Sequence, residues 1–219
     1  MARPDRLVVV TGTGTEVGKT WVTARLAGAL RTVGIAVAAR KPAQSYAPED
    51  PETDASVLAA ATGAAPEVVC PPHRWYPVPL APPMAAEALD RPRLTIAELT
   101  AELTWPEGTA VGFVEGAGGL CSPLAHDGDT LALVESLQPD LVLLVADPAL
   151  GVVSNVRLAS RALGDVPLLV SLNRFDPADD VHRRGHEWLT VVDSFAVVTS
   201  VDDAVAVLLA PSPHPAPPA

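Results

Sequence analysis

"VVVTGTGTEVGKTW", residues Val8 to Trp21, is an apolar, β-branched run that breaks into glycines and threonines and closes on Gly18-Lys19-Thr20. The valines predict a buried strand, and the Ala- and Leu-rich residues from Lys19 onward predict a helix. Small, turn-forming residues around one lysine at that junction make a phosphate cradle. Backbone N–H groups at the mouth of the helix face outward, and the helix dipole favours an anion there. The pattern Gly-x4-Gly-Lys-Thr is present except at its first position, where Thr13 stands between Gly12 and Gly14. Gly14, Thr15, Glu16, Val17 and Gly18 are the expected nucleotide-binding loop. Lys19 is expected to neutralise the β- and γ-phosphates, and the Thr20 hydroxyl to ligate magnesium.

Similar apolar runs recur at Leu7–Thr11, Ile35–Arg40, Ala110–Glu115, Leu141–Ala146 and Val166–Leu172. They are nearly continuous instead of alternating, the pattern of strands covered on both faces. Helices are predicted between them at Lys19–Val33, Thr53–Thr62, Ala85–Asp90, Ile96–Leu103, Leu131–Leu137, Val152–Leu163 and Arg183–Val191. A late strand, Phe195–Val198, and helix, Asp202–Leu209, complete the series. This alternation predicts an α/β fold: a doubly wound, mostly parallel sheet with helices on both faces, in one domain over residues 1–210. Two proline-rich pieces interrupt it. Cys70–Pro83, "CPPHRWYPVPLAPP", is expected as a long loop. The tail 211–219, "PSPHPAPPA", is expected to be extended or disordered.

In such a sheet, ligands sit beyond the carboxyl ends of the strands. Lys41, in "ARKPAQS", follows the second run directly and is expected in the same crevice as Lys19. Glu115 ends the strand of "FVEGAGGL", where an acidic residue suits magnesium, and Gly116, Gly118 and Gly119 let backbone approach a ligand. Asp54, in "PETDASVLAAATG", reads from its neighbours alone as a helix cap or dipole partner. His182 and His186 are four apart without a third ligand, and read as part of a solvated basic turn.

Of the 219 residues, 48% are hydrophobic and 19% charged, which supports a sizeable core. The net charge of −11 argues against nucleic acid and anionic membranes as partners. Cys70 and Cys121 form no metal or disulfide pattern, and no apolar run is long enough for a leader or a membrane span. A reduced, cytoplasmic setting is expected.

"TGTGTEVGKT", "KPAQS", "TDASVLAAATG" and "VEGAGGL", in this order and at these separations, resemble the dethiobiotin synthetase family from Leu7 to Asn173. The resemblance implies the P-loop NTPase fold, ATP and Mg2+ as cofactors, and a homodimer with its active site at the subunit interface. The implied reaction joins a diamine, 7,8-diaminononanoate, to CO2 and closes the ring of dethiobiotin in biotin biosynthesis. It passes through a carbamate and a carbamic-phosphoric anhydride. By position, Thr20, Asp54 and Glu115 would hold the metal, while Lys19 and Lys41 would be catalytic, beside the carbamate and γ-phosphate. Ser45 would lie near the substrate amines, Gly118 and Glu115 near the nucleotide, and Asn173 at the adenine. The helix start at Gly151 and Val152 would take the substrate carboxylate from the partner subunit. Three positions depart from the family pattern: Tyr46 stands where a glycine is usual, and Ser154 and Asn155 where Asn-His is usual. Position 14 is glycine where partition-type ATPases carry a second lysine, which argues against that branch. Ligases of this fold with a glutaminase domain need more chain than 219 residues. The reading of a different class is a nucleotide-binding regulatory or assembly module.

Overall fold

The computed structural model describes residues 3–210, and the proline-rich tail at 211–219 lies outside them. From the amino end, β1 (Arg6–Gly12) leads through the glycine loop into α1 (Lys19–Thr32), followed by β2 (Val37–Arg40) and the short β3 (Gln44–Ser45). Next come α2 (Asp54–Thr62), α3 (Pro66–Val69), the two-residue β4 (Trp75–Tyr76), α4 (Pro82–Ala88) and α5 (Ile96–Ala101). The chain then re-enters the sheet as β5 (Val111–Glu115), makes a small hairpin of β6 (Pro123–Ala125) and β7 (Gly128–Asp129), and runs into α6 (Thr130–Leu137). β8 (Leu141–Ala146), α7 (Val152–Leu163), β9 (Leu168–Leu172), α8 (Asp180–Glu187), β10 (Ala196–Val198) and α9 (Val201–Leu209) complete the order.

The main sheet has six strands in the order β10-β9-β8-β1-β5-β2, and every pairing is parallel. β1 is central, and its valines feed both faces. Val9 packs with Leu133, Leu144 and Val170 on one side. Val8 and Val10 pack with Leu26, Leu30 and Phe113 on the other. A strand covered on both faces needs apolar residues at every position, which is why its sequence shows no alternation. β1 is hydrogen-bonded to β8 on one side and β5 on the other, so chain direction in the strand order reverses around it and a crevice opens beyond its carboxyl end. The register sets Val10 beside Glu115 and Gly12 beside Val145, bringing the glycine loop and the acidic strand end to that crevice.

Three expectations change. Cys70–Pro83 is not one long loop: it holds a 3-10 turn at Pro72–Arg74 and β4, which pairs with β3, and its last residues open α4. Tyr76 is fully buried there, and Trp75 Nε1 donates to the Cys70 carbonyl at 2.8 Å, so aromatic burial organises the prolines. The predicted helix at Arg183–Val191 starts earlier, at Asp180, because Asp179 caps it, and gives way to a π-turn at Trp188–Val192. His182 and His186 are half-buried on that helix with ring centroids 6.0 and 5.5 Å from Phe175, so they pack instead of forming a solvated turn. The hairpin β6–β7 was not evident from sequence because strands of two or three residues carry no periodicity.

Candidate active site around the phosphate loop

Gly18 caps α1 in the left-handed region, φ +91°, with no side-chain cap. The backbone N–H groups from Gly14 to Thr20 make no hydrogen bond among the described residues. A row of free donors at a helix mouth is a ready anion cradle. Thr13 is not part of it, since its N–H donates to the Val145 carbonyl at 3.0 Å and extends the strand. Gly12 does the work expected of the missing first glycine. A Cβ there would lie 2.7 Å from Val17 Cγ2, so the loop closes only over a hydrogen. Leu120 N–H bonds the Gly12 carbonyl at 3.1 Å and ties the glycine-rich segment after β5 to the loop.

Four of the site residues expected from sequence meet at the mouth of this loop. Thr20 Oγ1 lies 2.7 Å from both Asp54 Oδ1 and Glu115 Oε1, and its one proton serves either carboxylate. Lys41 Nζ lies 2.6 Å from Asp54 Oδ2, 2.9 Å from Glu115 Oε1 and 3.0 Å from the Gly116 carbonyl. Glu115 and Lys41 are buried. Burial disfavours the charged form of Lys41, but Asp54 and Glu115 outweigh it and hold its pKa above the ordinary lysine value. Burial likewise works against the Asp54 carboxylate, yet Lys41 more than offsets it and keeps that pKa low. Lys19 goes the other way. Burial first, and repulsion from Lys41 second, push it down to about 8. Its Nζ is held by the Gly14 carbonyl at 3.2 Å.

Asp54 is not the helix cap that its neighbours suggest. Thr53 caps α2, accepting from Ser56 N–H while Ser56 Oγ accepts from Thr53 N–H. Gln44 Oε1 accepts from Ala55 N–H at 2.9 Å and ties the first turn of α2 to β3, which aims Asp54 at Lys41. Thr23 escaped the sequence reading. Its buried hydroxyl donates to Glu115 Oε2 at 2.9 Å, fixing the far carboxylate oxygen. The available signal was its spacing of three from Thr20, which places both hydroxyls on one helix face.

Of the recesses around the loop, two hold site residues expected from the sequence beyond the loop's own mouth. One, of about 260 Å3, is lined by Trp21, Asn173, Phe175 and Thr199 among others. Asn173 is buried and donates through Nδ2 to the Val17 carbonyl at 2.9 Å, so it braces the loop as well as facing this recess. Glu16 and Arg174 both have φ +60°, and Arg174 donates to the Glu16 carbonyl at 3.3 Å. Two of the five left-handed non-glycine residues among those described thus meet at the loop. The other recess, about 510 Å3, is lined by Thr15, Glu16, Ser45, Tyr46, Gly118 and Ser122 with others. Gly151 and Val152 do not join either recess. They line a separate apolar hollow of about 320 Å3 with Leu150, Val153, Val181 and Trp188.

The donor set fits a hard divalent cation: one hydroxyl and two carboxylates converge, and magnesium typically takes only one or two carboxylates from a protein when phosphates complete its shell. Among the described residues no larger His, Cys, Asp and Glu cluster exists, both cysteines are free, and no helix is long and apolar enough to cross a membrane.

A family model described as an AAA domain matches residues 6–181. The chain is 41% identical over 170 residues to the ATP-dependent dethiobiotin synthetase of Methylobacterium nodulans, covering 70% of this chain and 73% of that protein. It is 37% identical over 158 residues to the Rhodococcus jostii protein of the same name, covering 72% and 67%. Among solved structures, chloroplast FtsY from Physcomitrella patens superposes with a TM-score of 0.53 at 17% identity, over 96% of this chain and 66% of that one. A putative plasmid partition protein from Borrelia burgdorferi bound to AMPPNP also gives 0.53, at 12% identity, over 92% and 89%. At such identities the two structures speak only for the α/β fold. With the relatives and the loop geometry taken together, the chain belongs to the ATP-dependent dethiobiotin synthetase family.

Proposed function

We propose that this protein is a ligase that uses ATP and Mg2+ to convert 7,8-diaminononanoate and CO2 into dethiobiotin, acting in the cytoplasm as a homodimer. The observation that carries the reading is the convergence of Lys41 and the loop hydroxyl of Thr20 on the same two carboxylates, Asp54 and Glu115, with the recess of Thr15 and Ser45 beside the loop. Phosphate chemistry and a polar organic substrate then meet at one point. Thr20, Asp54 and Glu115 would hold the metal, which supplies neutralisation of phosphate charge when bound. The adenine would occupy the recess of Trp21, Asn173 and Phe175.

In the first step one substrate amine attacks CO2, forming a C–N bond and losing a proton, to give a carbamate. A carbamate oxygen then attacks the γ-phosphorus of ATP, and ADP leaves. The second amine attacks the carbamoyl carbon, closing the cyclic urea and expelling phosphate. Lys19 and the free N–H groups of the loop stabilise charge on the transferring phosphoryl group, and Lys41 does so from the substrate side. Glu16 and the hydroxyls of Thr15 and Ser45 offer acceptors to the amines. No protein nucleophile takes part. Alignment and charge suffice for this transfer.

The substrate carboxylate would dock at the start of α7 of the partner subunit. The N–H groups of Val153 and Ser154 there make no hydrogen bond among the described residues. Leu150 in the turn before that helix, 93% exposed, and Leu158 on it, 60% exposed, supply apolar surface for the dimer seam. The test is phosphate release from ATP with and without the diamine and bicarbonate, coupled to mass detection of the cyclic urea. Release that needs both co-substrates supports the reading. ATP binding without such release would make the protein a nucleotide-binding module.

A further inference from the structure

The edge of the sheet carries a charge that the reaction leaves unused. Arg40 ends β2, one residue before Lys41, and is only 4% exposed. Its Nε donates to the Thr104 carbonyl at 2.6 Å and its Nη1 to the Ala39 carbonyl at 2.7 Å. The guanidinium carbon lies 5.2 Å from the centroid of the Trp105 ring. These partners are neutral. Burial alone pushes the Arg40 pKa below its ordinary value, with no carboxylate acting against it. Nη2 makes no hydrogen bond among the described residues, and it is not among the polar atoms sealed from solvent.

Arg40, with Lys41 beside it, lines a cleft of about 260 Å3 on the outer side of β2, between α3 and the end of α5. Pro42, Val68, Val69, Leu99 and Leu103 give it apolar walls. Of the acids beside it, Glu102 is already held by Arg74 at 2.6 and 3.0 Å, and Glu67 lies on exposed surface. A desolvated guanidinium without a counter-ion is costly, and a carboxylate matches its fork with two parallel hydrogen bonds. The apolar walls select what the carboxylate is attached to.

We propose that this cleft binds a short aliphatic carboxylate, with the carboxylate on the free edge of Arg40 and the chain along Val69, Leu99 and Leu103. The site is separate from the phosphate loop, and the inference does not depend on the reaction assigned above. It is nevertheless linked to Lys41, whose N–H donates to the Val69 carbonyl at 2.8 Å, so an occupant of the cleft presses on the strand end that positions the catalytic lysine.

Titration calorimetry of the full chain with hexanoate is the test, with acetate and hexanol as probes lacking the chain or the charge. One saturable hexanoate site per chain is expected, with acetate and hexanol each at least tenfold weaker. Arg40→Met should weaken hexanoate at least tenfold. Val68→Trp, at the exposed rim, should do the same with Arg40 intact, and so decides the matter even where Arg40→Met fails to fold. Absence of saturable hexanoate binding, acetate binding as tightly as hexanoate, or an affinity unmoved by Val68→Trp would each overturn the assignment.

Discussion

Lys41 Nζ stands 2.6 Å from Asp54 Oδ2 and 2.9 Å from Glu115 Oε1, so a single ammonium bridges the two carboxylates that Thr20 also bonds. The lysine lies on the same carboxylate oxygens that would face a bound divalent cation. The arrangement also joins the end of β2, α2 and β5 at one point, which couples the position of Lys41 to the oxygens proposed to hold the metal.

Lys41→Met removes the bridging charge and leaves two carboxylates unbalanced. Nucleotide-free Lys41→Met protein is therefore expected to bind Mn2+ about tenfold more tightly than wild type, roughly 1.4 kcal/mol. Electron paramagnetic resonance of free Mn2+ reads this directly. Equal affinities would show that the ammonium and the metal do not compete.

Capping and metal binding separate at adjacent residues. Thr53→Ala is expected to cost about 1 kcal/mol of stability and leave the magnesium requirement unchanged. Asp54→Asn should raise the Mg2+ concentration for half-maximal activity by about tenfold or more. Its stability cost is about 1–2 kcal/mol, less than for a fully buried pair because the Asp54 side chain is 38% exposed. Since the Asp54 pKa is lowered from 3.8, the pair's stabilisation is present above pH 3.8 and is lost as pH falls through the lower folded-state value. Magnesium titrations and chemical denaturation of both variants check the division.

Lys19 supplies a pH signature. Its pKa falls from 10.5 to about 8 on folding, so the unfolded chain binds more protons between these values. The burial cost of its charge is thus full below pH 8 and is relieved as pH rises toward 10.5. Bound phosphate restores the charged form, so nucleotide binding at pH 8.5 to 9 should take up about half a proton or more, and almost none at pH 6.5. Calorimetry in buffers of different ionisation enthalpy measures the uptake. Lys19→Met should abolish it and lower ATP turnover by about a hundredfold or more.

Gly18→Ala tests the loop itself. A Cβ there would collide with Asn173 Nδ2, on a backbone at φ +91°. We expect nucleotide binding to be lost and stability to fall by about 1–3 kcal/mol. Adding Asn173→Ala should recover part of the stability, because it relieves the clash and not the backbone strain. No recovery in the double variant would mean that the strain dominates.

The proposed dimer rests on the face of α7. Leu150→Asp with Leu158→Asp is expected to give a monomer by sedimentation, with diamine turnover falling at least tenfold. ATP binding should persist, because the phosphate loop lies within one chain. An unchanged sedimentation profile would place the seam elsewhere.

The order of strands and helices was legible in the chain because periodicity, caps and glycines act over a few residues. The central valines need two apolar faces, and Gly18-Lys19-Thr20 needs a helix to open on. Lys41 and Glu115 were legible for the same reason, each being the residue at which an apolar run stops. Which groups touch was not local. Thr20 and Asp54 are 34 positions apart, and Thr23 and Glu115 are 92 apart. Their meeting depends on β5 inserting between β1 and β2, a choice made by packing over the whole sheet. The same holds for Gly12, whose role follows from Val17 lying over it, and for the prolines around Tyr76, ordered by the core beneath them. Local propensity therefore determined the elements and the loop that cradles phosphate. Only the tertiary structure decided which carboxylates share a lysine, because burying both faces of the sheet, and not any neighbour in sequence, brings them together.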